Sequence, residues 1–393
     1  MTDGYNATDL VRGGLDRSGW DETSEALILT SGFVYGSAEE AEAAFAGEQE
    51  RYIYSRYGNP TIGMFQERLR IIEGAEACYA TASGMSAVFT SLIALLETGD
   101  SVVASKGLFG SCFVILDELL PRWGIETTFV DGDDLEAWEQ ALGAGAKVVF
   151  FETPSNPMQG IVDISSVSAL AHAAGATVVV DNVFATPVLQ KPLELGADVV
   201  VYSTTKHIDG QGRTLGGAIL GTEEYIVEKV QPFIRHTGPA LSPFNAWVLT
   251  KSLETLDLRV KAEQASALSL AGALEGAPGV DQVWYPYLAS HPQYELARSQ
   301  MAGGGTVVTF SVEGGKDTAF RLLNALDVID ISNNLGDAKS LVTHPASTTH
   351  RRLGPEVRSQ MGITDGVVRI SVGLESVEDL VADVTQAVEA ATA

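Results

Sequence analysis

Cysteine is nearly absent: the 393 residues hold two, Cys78 and Cys112. They cannot build a disulfide framework and do not form a CxxC pair, so both read as small buried hydrophobes. Basic residues are scarce as well. There are 25 Lys+Arg against 51 Asp+Glu, a formal net charge of −26. A field of that sign repels phosphate backbones and anionic lipid heads, which argues against nucleic-acid and membrane-surface partners. No run of about 18 apolar residues offers a membrane span, and Met1 to Trp20 lacks an apolar signal core. A cytoplasmic location is expected. The six histidines show no HxH or HxxxH spacing joined to a cysteine or carboxylate pattern, so no metal site is expected. Internal repeats and low-complexity linkers are missing too.

What is present is an ordinary apolar share, 45%, spread over a chain long enough for two or three domains. Residues 1–55 are irregular, with one short acidic helix candidate at Ala38–Ala46, and offer no obvious core. They are expected to form an arm that packs on something else. From Thr61 the pattern changes. Apolar runs at Cys78–Thr81, Ser101–Ala104, Thr127–Val130, Lys147–Glu152, Thr177–Asp181, Asp198–Tyr202 and Ala218–Leu220 alternate with helical stretches. Such alternation predicts an α/β domain, residues 56–243, with a mostly parallel seven-stranded sheet covered on both faces. Functional groups in such sheets gather at the carboxyl ends of strands. Near Pro243 the rhythm changes again, and Ala246–Ala273 reads as one long helix. Strand and helix patterns beyond it predict a smaller C-terminal α+β domain, residues 244–393.

Lys206 is one of nine lysines and stands apart from the rest. The run Asp198–Tyr202 delivers it to the functional edge within Ser203-Thr-Thr-Lys-His-Ile-Asp-Gly210. An amine there can form a Schiff base with an aldehyde cofactor; it can equally cap a loop. Asp181 ends the strand Thr177–Asp181, 25 residues earlier. A carboxylate at a buried strand end is costly unless it meets a cation, and a protonated pyridine nitrogen is such a cation. Gly84 lies in Thr81-Ala-Ser-Gly-Met-Ser-Ala87, where a strand passes into a helix whose first N–H groups form an anion site.

These features sit in segments that resemble the Cys/Met-metabolism family of pyridoxal-phosphate (PLP) enzymes, of PLP fold-type I. The segments are Tyr54–Thr61, Ala82–Met85, Phe151–Pro157, Val180–Asn182, Ser203–Lys206, Leu335–Ala338, His344–Ser347 and Arg369–Glu375. They run in family order across nearly the whole chain. The resemblance implies that Lys206 carries PLP and moves protons, and that Asp181 pairs with the pyridine nitrogen. Asn156 would lie near the ring hydroxyl. Gly84, Met85, Ser203 and Thr205 would hold the phosphate, with Tyr54 and Arg56 reaching the phosphate of a neighbouring subunit. Arg369 would grip the substrate α-carboxylate.

The chain departs from the family pattern in Lys106-Gly-Leu-Phe-Gly110, where Phe109 replaces a tyrosine that stacks on PLP in many members. Phenylalanine can stack but cannot move a proton. That argues against a γ-lyase. With His207–Arg213 it resembles the acylhomoserine sulfhydrylase branch, which implies γ-replacement of succinate in O-succinylhomoserine by sulfide. Cystathionine γ-synthesis, with cysteine as nucleophile, is the rival, and a non-catalytic α/β binding module is the reading from a different class. Asn334 matches a position held by serine in lyases and is a candidate substrate contact. Arg213 is a candidate for the succinyl carboxylate or, alternatively, half of a structural salt bridge. The resemblance also implies a homo-oligomer, a tetramer built as a dimer of dimers.

Overall fold

A computed structural model describes residues 5–392. Its larger sheet has seven strands: β1 (Ala77–Thr81), β2 (Ser101–Ser105), β3 (Glu126–Val130), β4 (Val148–Glu152), β5 (Thr177–Asp181), β6 (Val199–Ser203) and β7 (Gly217–Gly221). Their order is β1-β7-β6-β5-β4-β2-β3, and β7 alone runs antiparallel to its neighbours. The central strands are runs of valine and phenylalanine, residues that fit a pleated surface buried on both sides. In β4 the alternation is visible directly. Val148 and Phe150 enter one apolar cluster, which includes Val88 and Leu92 of the helix Gly84–Ile93. Val149 and Phe151 enter another, with Trp138 and Val167 from helices on the opposite face. Each such side chain contributes roughly 1.5–3 kcal/mol through burial.

The smaller sheet has five strands: β8 (Val280–Trp284), β9 (Val307–Val312), β10 (Asp330–Ile331), β11 (Leu341–Thr343) and β12 (Val367–Ser371), in the order β10-β11-β12-β9-β8. Val368, Ile370 and Val372 pack into a core with Leu322, Leu380 and Val384 from the helices Gly315–Ala325 and Val377–Thr392. The period of two then turns Arg369 to the other face of β12. From β9, beside it in register, Thr309 donates to the Pro157 carbonyl of the larger domain at 2.6 Å.

Two features differ from the sequence expectation. The long helix over 246–273 is two helices, Pro243–Leu253 and Leu256–Leu274. The break has a cause: the Ser252 carbonyl, needed to continue the ladder, accepts the Arg259 side chain at 3.1 Å and the Thr255 N–H at 3.3 Å. The N-terminal stretch also divides. Tyr5 and Leu10 join a core cluster with Phe65, Leu69 and Leu253, and Glu25 is buried against Arg68. Tyr5, Leu10 and Glu25 therefore pack on their own chain, whereas Trp20, Leu29, Val34 and Phe45 are exposed. Among the described residues no helix is long and apolar enough to cross a membrane.

Candidate active site

β7 reverses direction between β6 and β1, so the carboxyl ends of β1, β6, β5 and β4 share one edge. A cavity of about 370 Å³ opens there, within the range of small-molecule sites. It is lined by Gly84, Met85, Phe109, Asn156, Asp181, Ser203, Thr205, Lys206 and Arg369. Nine of the residues expected from the sequence thus meet in one place, although they are drawn from both domains.

Each is positioned by local structure. Ser83 caps the helix Gly84–Ile93, accepting the Ser86 N–H at 3.2 Å. Glycine is required at 84 because a Cβ there would lie 2.5 Å from the Cβ of Ser203. The helix start can then press against the end of β6. Thr205 Oγ1 accepts the Gly216 N–H at 3.1 Å, which ties the Lys206 loop to β7. Lys206 Nζ donates to Asn334 Oδ1 at 2.5 Å, so Asn334 touches the reactive amine itself. Burial, and then the charge of Arg369, pull the Lys206 amine down to about 8.

Asp181 is buried and lines the cavity. Burial pushes its carboxyl up to about 7, opposed by the Val183 N–H, which it accepts at 3.1 Å. Arg369 is fully buried, and all its bonds go to neutral oxygens: Asn156 Oδ1 at 3.0 Å and the carbonyls of Asn333 and Asn334 at 3.1 and 3.2 Å. Its Nε has no partner. Burial pulls the guanidinium down to about 10, against the opposing charge of Glu152.

These residues fit PLP. The helix start and the close approach of Gly84 to Ser203 suit a phosphate; Asp181 is a buried carboxyl suited to a ring cation; the depressed Lys206 amine suits an aldehyde.

Three expected residues lie elsewhere. Tyr54 and Arg56 sit in a separate depression with Ser31 and Leu241. There Arg56 bonds the Arg235 carbonyl and lies 4.9 Å from the centre of the Tyr57 ring. Arg213 is the third. It does not line the cavity and is engaged by Asp209 at 3.2 Å and Ser252 at 2.5 Å. The structural salt bridge is the arrangement observed. His207, beside the lysine, is buried with Nε2 2.6 Å from Thr306 Oγ1, and burial pulls it down to about 3. It is a packing residue. Glu152, Cys112, Leu215 and Thr349 also line the cavity, unassigned from the sequence. Of these, Glu152 carried the same signal as Asp181, a carboxylate ending an apolar strand.

Fold and pocket together define a PLP-dependent enzyme of fold-type I. The family model for Cys/Met metabolism PLP-dependent enzymes matches residues 7–389. The chain is 64% identical over 392 residues to an O-succinylhomoserine sulfhydrylase of Mycobacterium tuberculosis, covering 98% of this chain and 97% of that one. It is 49% identical to an O-succinylhomoserine sulfhydrylase of Pseudomonas aeruginosa, covering 97% and 94% of the two chains. A structure from Campylobacter jejuni, a putative O-acetylhomoserine (thiol)-lyase carrying a pyridoxyl-lysine phosphate, superposes with a TM-score of 0.94 at 31% identity, covering 98% of this chain and 100% of that one. The chain belongs to the Cys/Met metabolism family of PLP-dependent enzymes.

Proposed function

We propose that the protein catalyses γ-replacement on O-succinyl-L-homoserine: the Cγ–O bond breaks, succinate leaves, sulfide forms the Cγ–S bond, and homocysteine is released. Phe109 carries this reading. A carboxylate leaving group is the base of an acid with pKa about 4, and a thiolate that of one near 8.5. The difference is worth on the order of 6 kcal/mol. Departure of a thiol gains greatly from a proton donor, and departure of succinate does not. Phe109 lines the cavity without a hydroxyl, which suits an acyl ester and disfavours thiol elimination. The two sulfhydrylase relatives support the same substrate and nucleophile.

When bound, PLP supplies an aldehyde that joins amines and a ring that withdraws electrons from the adjacent carbon. In this reading Asp181 holds the ring nitrogen protonated, and Asn156 lies near the ring hydroxyl. Gly84, Met85, Ser203 and Thr205 receive the phosphate. Arg369 binds the substrate α-carboxylate bidentately, the geometry its guanidinium favours. Lys206 Nζ removes the α-proton and returns a proton later, while Asn334 holds that amine in place.

The exposed Leu29, Val34 and Phe45, together with Tyr54 and Arg56 outside their own cavity, support contact with a second copy. We read the protein as a cytoplasmic homotetramer, a dimer of dimers in which residues 29–56 cross to the neighbour. The larger domain then spans about 56–243 and the smaller 244–393.

The test is a parallel assay of the PLP-loaded protein with O-succinylhomoserine. Homocysteine formed from sulfide faster than cystathionine from cysteine supports the reading. The reverse makes the protein a cystathionine γ-synthase.

A further inference from the structure

Glu152 stands in one of the segments that carry the family resemblance and has no assigned role. It ends β4 in register with Asp181 of β5, so both side chains leave the same face of neighbouring strands. It is 3% exposed and lines the cavity. Oε2 accepts the Phe109 N–H at 2.8 Å. The Phe109 carbonyl accepts the N–H groups of Cys112 at 2.9 Å and Phe113 at 3.1 Å, the first turn of the helix Gly110–Val114. The backbone of Phe109 is therefore held on both sides, by Glu152 at its N–H and by the helix at its carbonyl.

This matters because of which residue stands at 109. A tyrosine ring can be fixed through its hydroxyl. A phenylalanine has no polar atom on its ring, so backbone and packing alone decide where the ring lies.

We propose that Glu152 is a positioning residue for the reaction: its carboxyl holds the Phe109 backbone so that the aromatic ring lies against the cofactor. Two buried carboxylates on one face of adjacent strands do not both ionise cheaply. Burial, and then the charge of Asp181, raise Glu152 well above the carboxylate range. A neutral carboxyl still accepts an N–H through its carbonyl oxygen, so Glu152 anchors Phe109 without placing a second anion beside Asp181.

The proposal rests on the reading of Phe109 as the residue facing the cofactor, and the experiment separates the two. Wild type and four variants are loaded with pyridoxal phosphate. Circular dichroism of the bound cofactor's visible band is then recorded without substrate. Phe109→Ala should alter the signal; a wild-type signal there overturns the reading of Phe109 and the proposal with it. Glu152→Gln keeps an acceptor oxygen at the same reach and should retain sign and intensity within about twofold. Glu152→Ala should lose intensity and release the cofactor about tenfold more readily, as expected when a buried N–H loses its partner. Glu152→Asp keeps a carboxyl but shortens its reach, and should follow Ala. Should the Ala variant fail to fold, Gln against Asp decides: Gln retained with Asp impaired supports the proposal, and any other pattern overturns it. No homocysteine is measured, so a wrong acyl ester or nucleophile leaves this result standing.

Discussion

Arg68 and Arg369 are 0% and 1% exposed, yet they are partnered on opposite terms. Arg68 meets Glu25 at 2.6 Å and Glu254 at 3.7 Å, and its remaining donors reach the carbonyls of Gly13 and Thr250. Lys251 adds a second cation to Glu25 at 2.8 Å. Burial alone would raise Glu25; Lys251 and Arg68 hold it down to about 2. That cluster fastens the N-terminal stretch at Gly13 and Glu25 to the helices that carry Arg68 and Lys251, and all its partners belong to the same chain. Arg369 has no carboxylate bonded to it and keeps an unpartnered Nε. Near it Asp181 and Glu152 are raised and Lys206 is depressed. Buried charge that is paired holds a fold together, and buried charge left without an ionic partner marks where a ligand supplies one.

The largest effect expected from this contrast is at Lys206. Lys206→Ala should lose the visible band of the PLP-loaded protein and lower turnover by about 10⁴-fold or more. Borohydride reduction of the wild type followed by peptide mass mapping should place the pyridoxyl group on Lys206. An adduct on another of the nine lysines would break the assignment.

Asp181 comes next, with a sign that depends on pH. Its folded value, about 7, lies above the ordinary one near 3.9. Its favourable contribution is therefore complete below about pH 4 and is lost as pH rises through 7. In the cofactor-free protein Asp181→Asn should be neutral at pH 4 and stabilising at pH 8, by on the order of 4 kcal/mol. It should also impair PLP binding. Urea unfolding of the cofactor-free proteins at the two pH values checks this; equal differences at both would refute it.

Arg213 should matter least. Its side chain is 40% exposed and bound to the buried Asp209. Arg213→Ala should cost about 1 kcal/mol of stability and leave KM for O-succinylhomoserine within about twofold. A tenfold rise in KM would return Arg213 to the substrate.

The large sheet was readable from the chain because its strands are β-branched runs buried on both faces, a pattern that needs no partner to recognise. Lys206 and Asp181 followed, since Asp181 ends such a run and Lys206 comes three residues after one. Arg369 was reached only through the family segment; its strand alternation explains afterwards why it faces the cavity. The break at 254–255 was hidden because its cause is a side chain from the next helix, Arg259, taking the Ser252 carbonyl. The Asp209–Arg213 pair was visible as an i,i+4 spacing. It was overshadowed by proximity to Lys206 in sequence, which did not become proximity to the cavity.

The paired and the unpartnered arginine offer the most direct test. Each is replaced by methionine, and the unfolding of the cofactor-free protein and kcat/KM for O-succinylhomoserine with sulfide are measured. Arg68→Met should cost about 3 kcal/mol of stability, stranding part of a buried ion cluster, and leave kcat/KM of the folded fraction nearly unchanged. Arg369→Met should keep or raise the unfolding temperature and lower kcat/KM by about 10²–10³-fold, the loss of a desolvated carboxylate partner. An Arg369→Met protein as unstable as Arg68→Met, with kcat/KM preserved in what remains folded, would contradict the account.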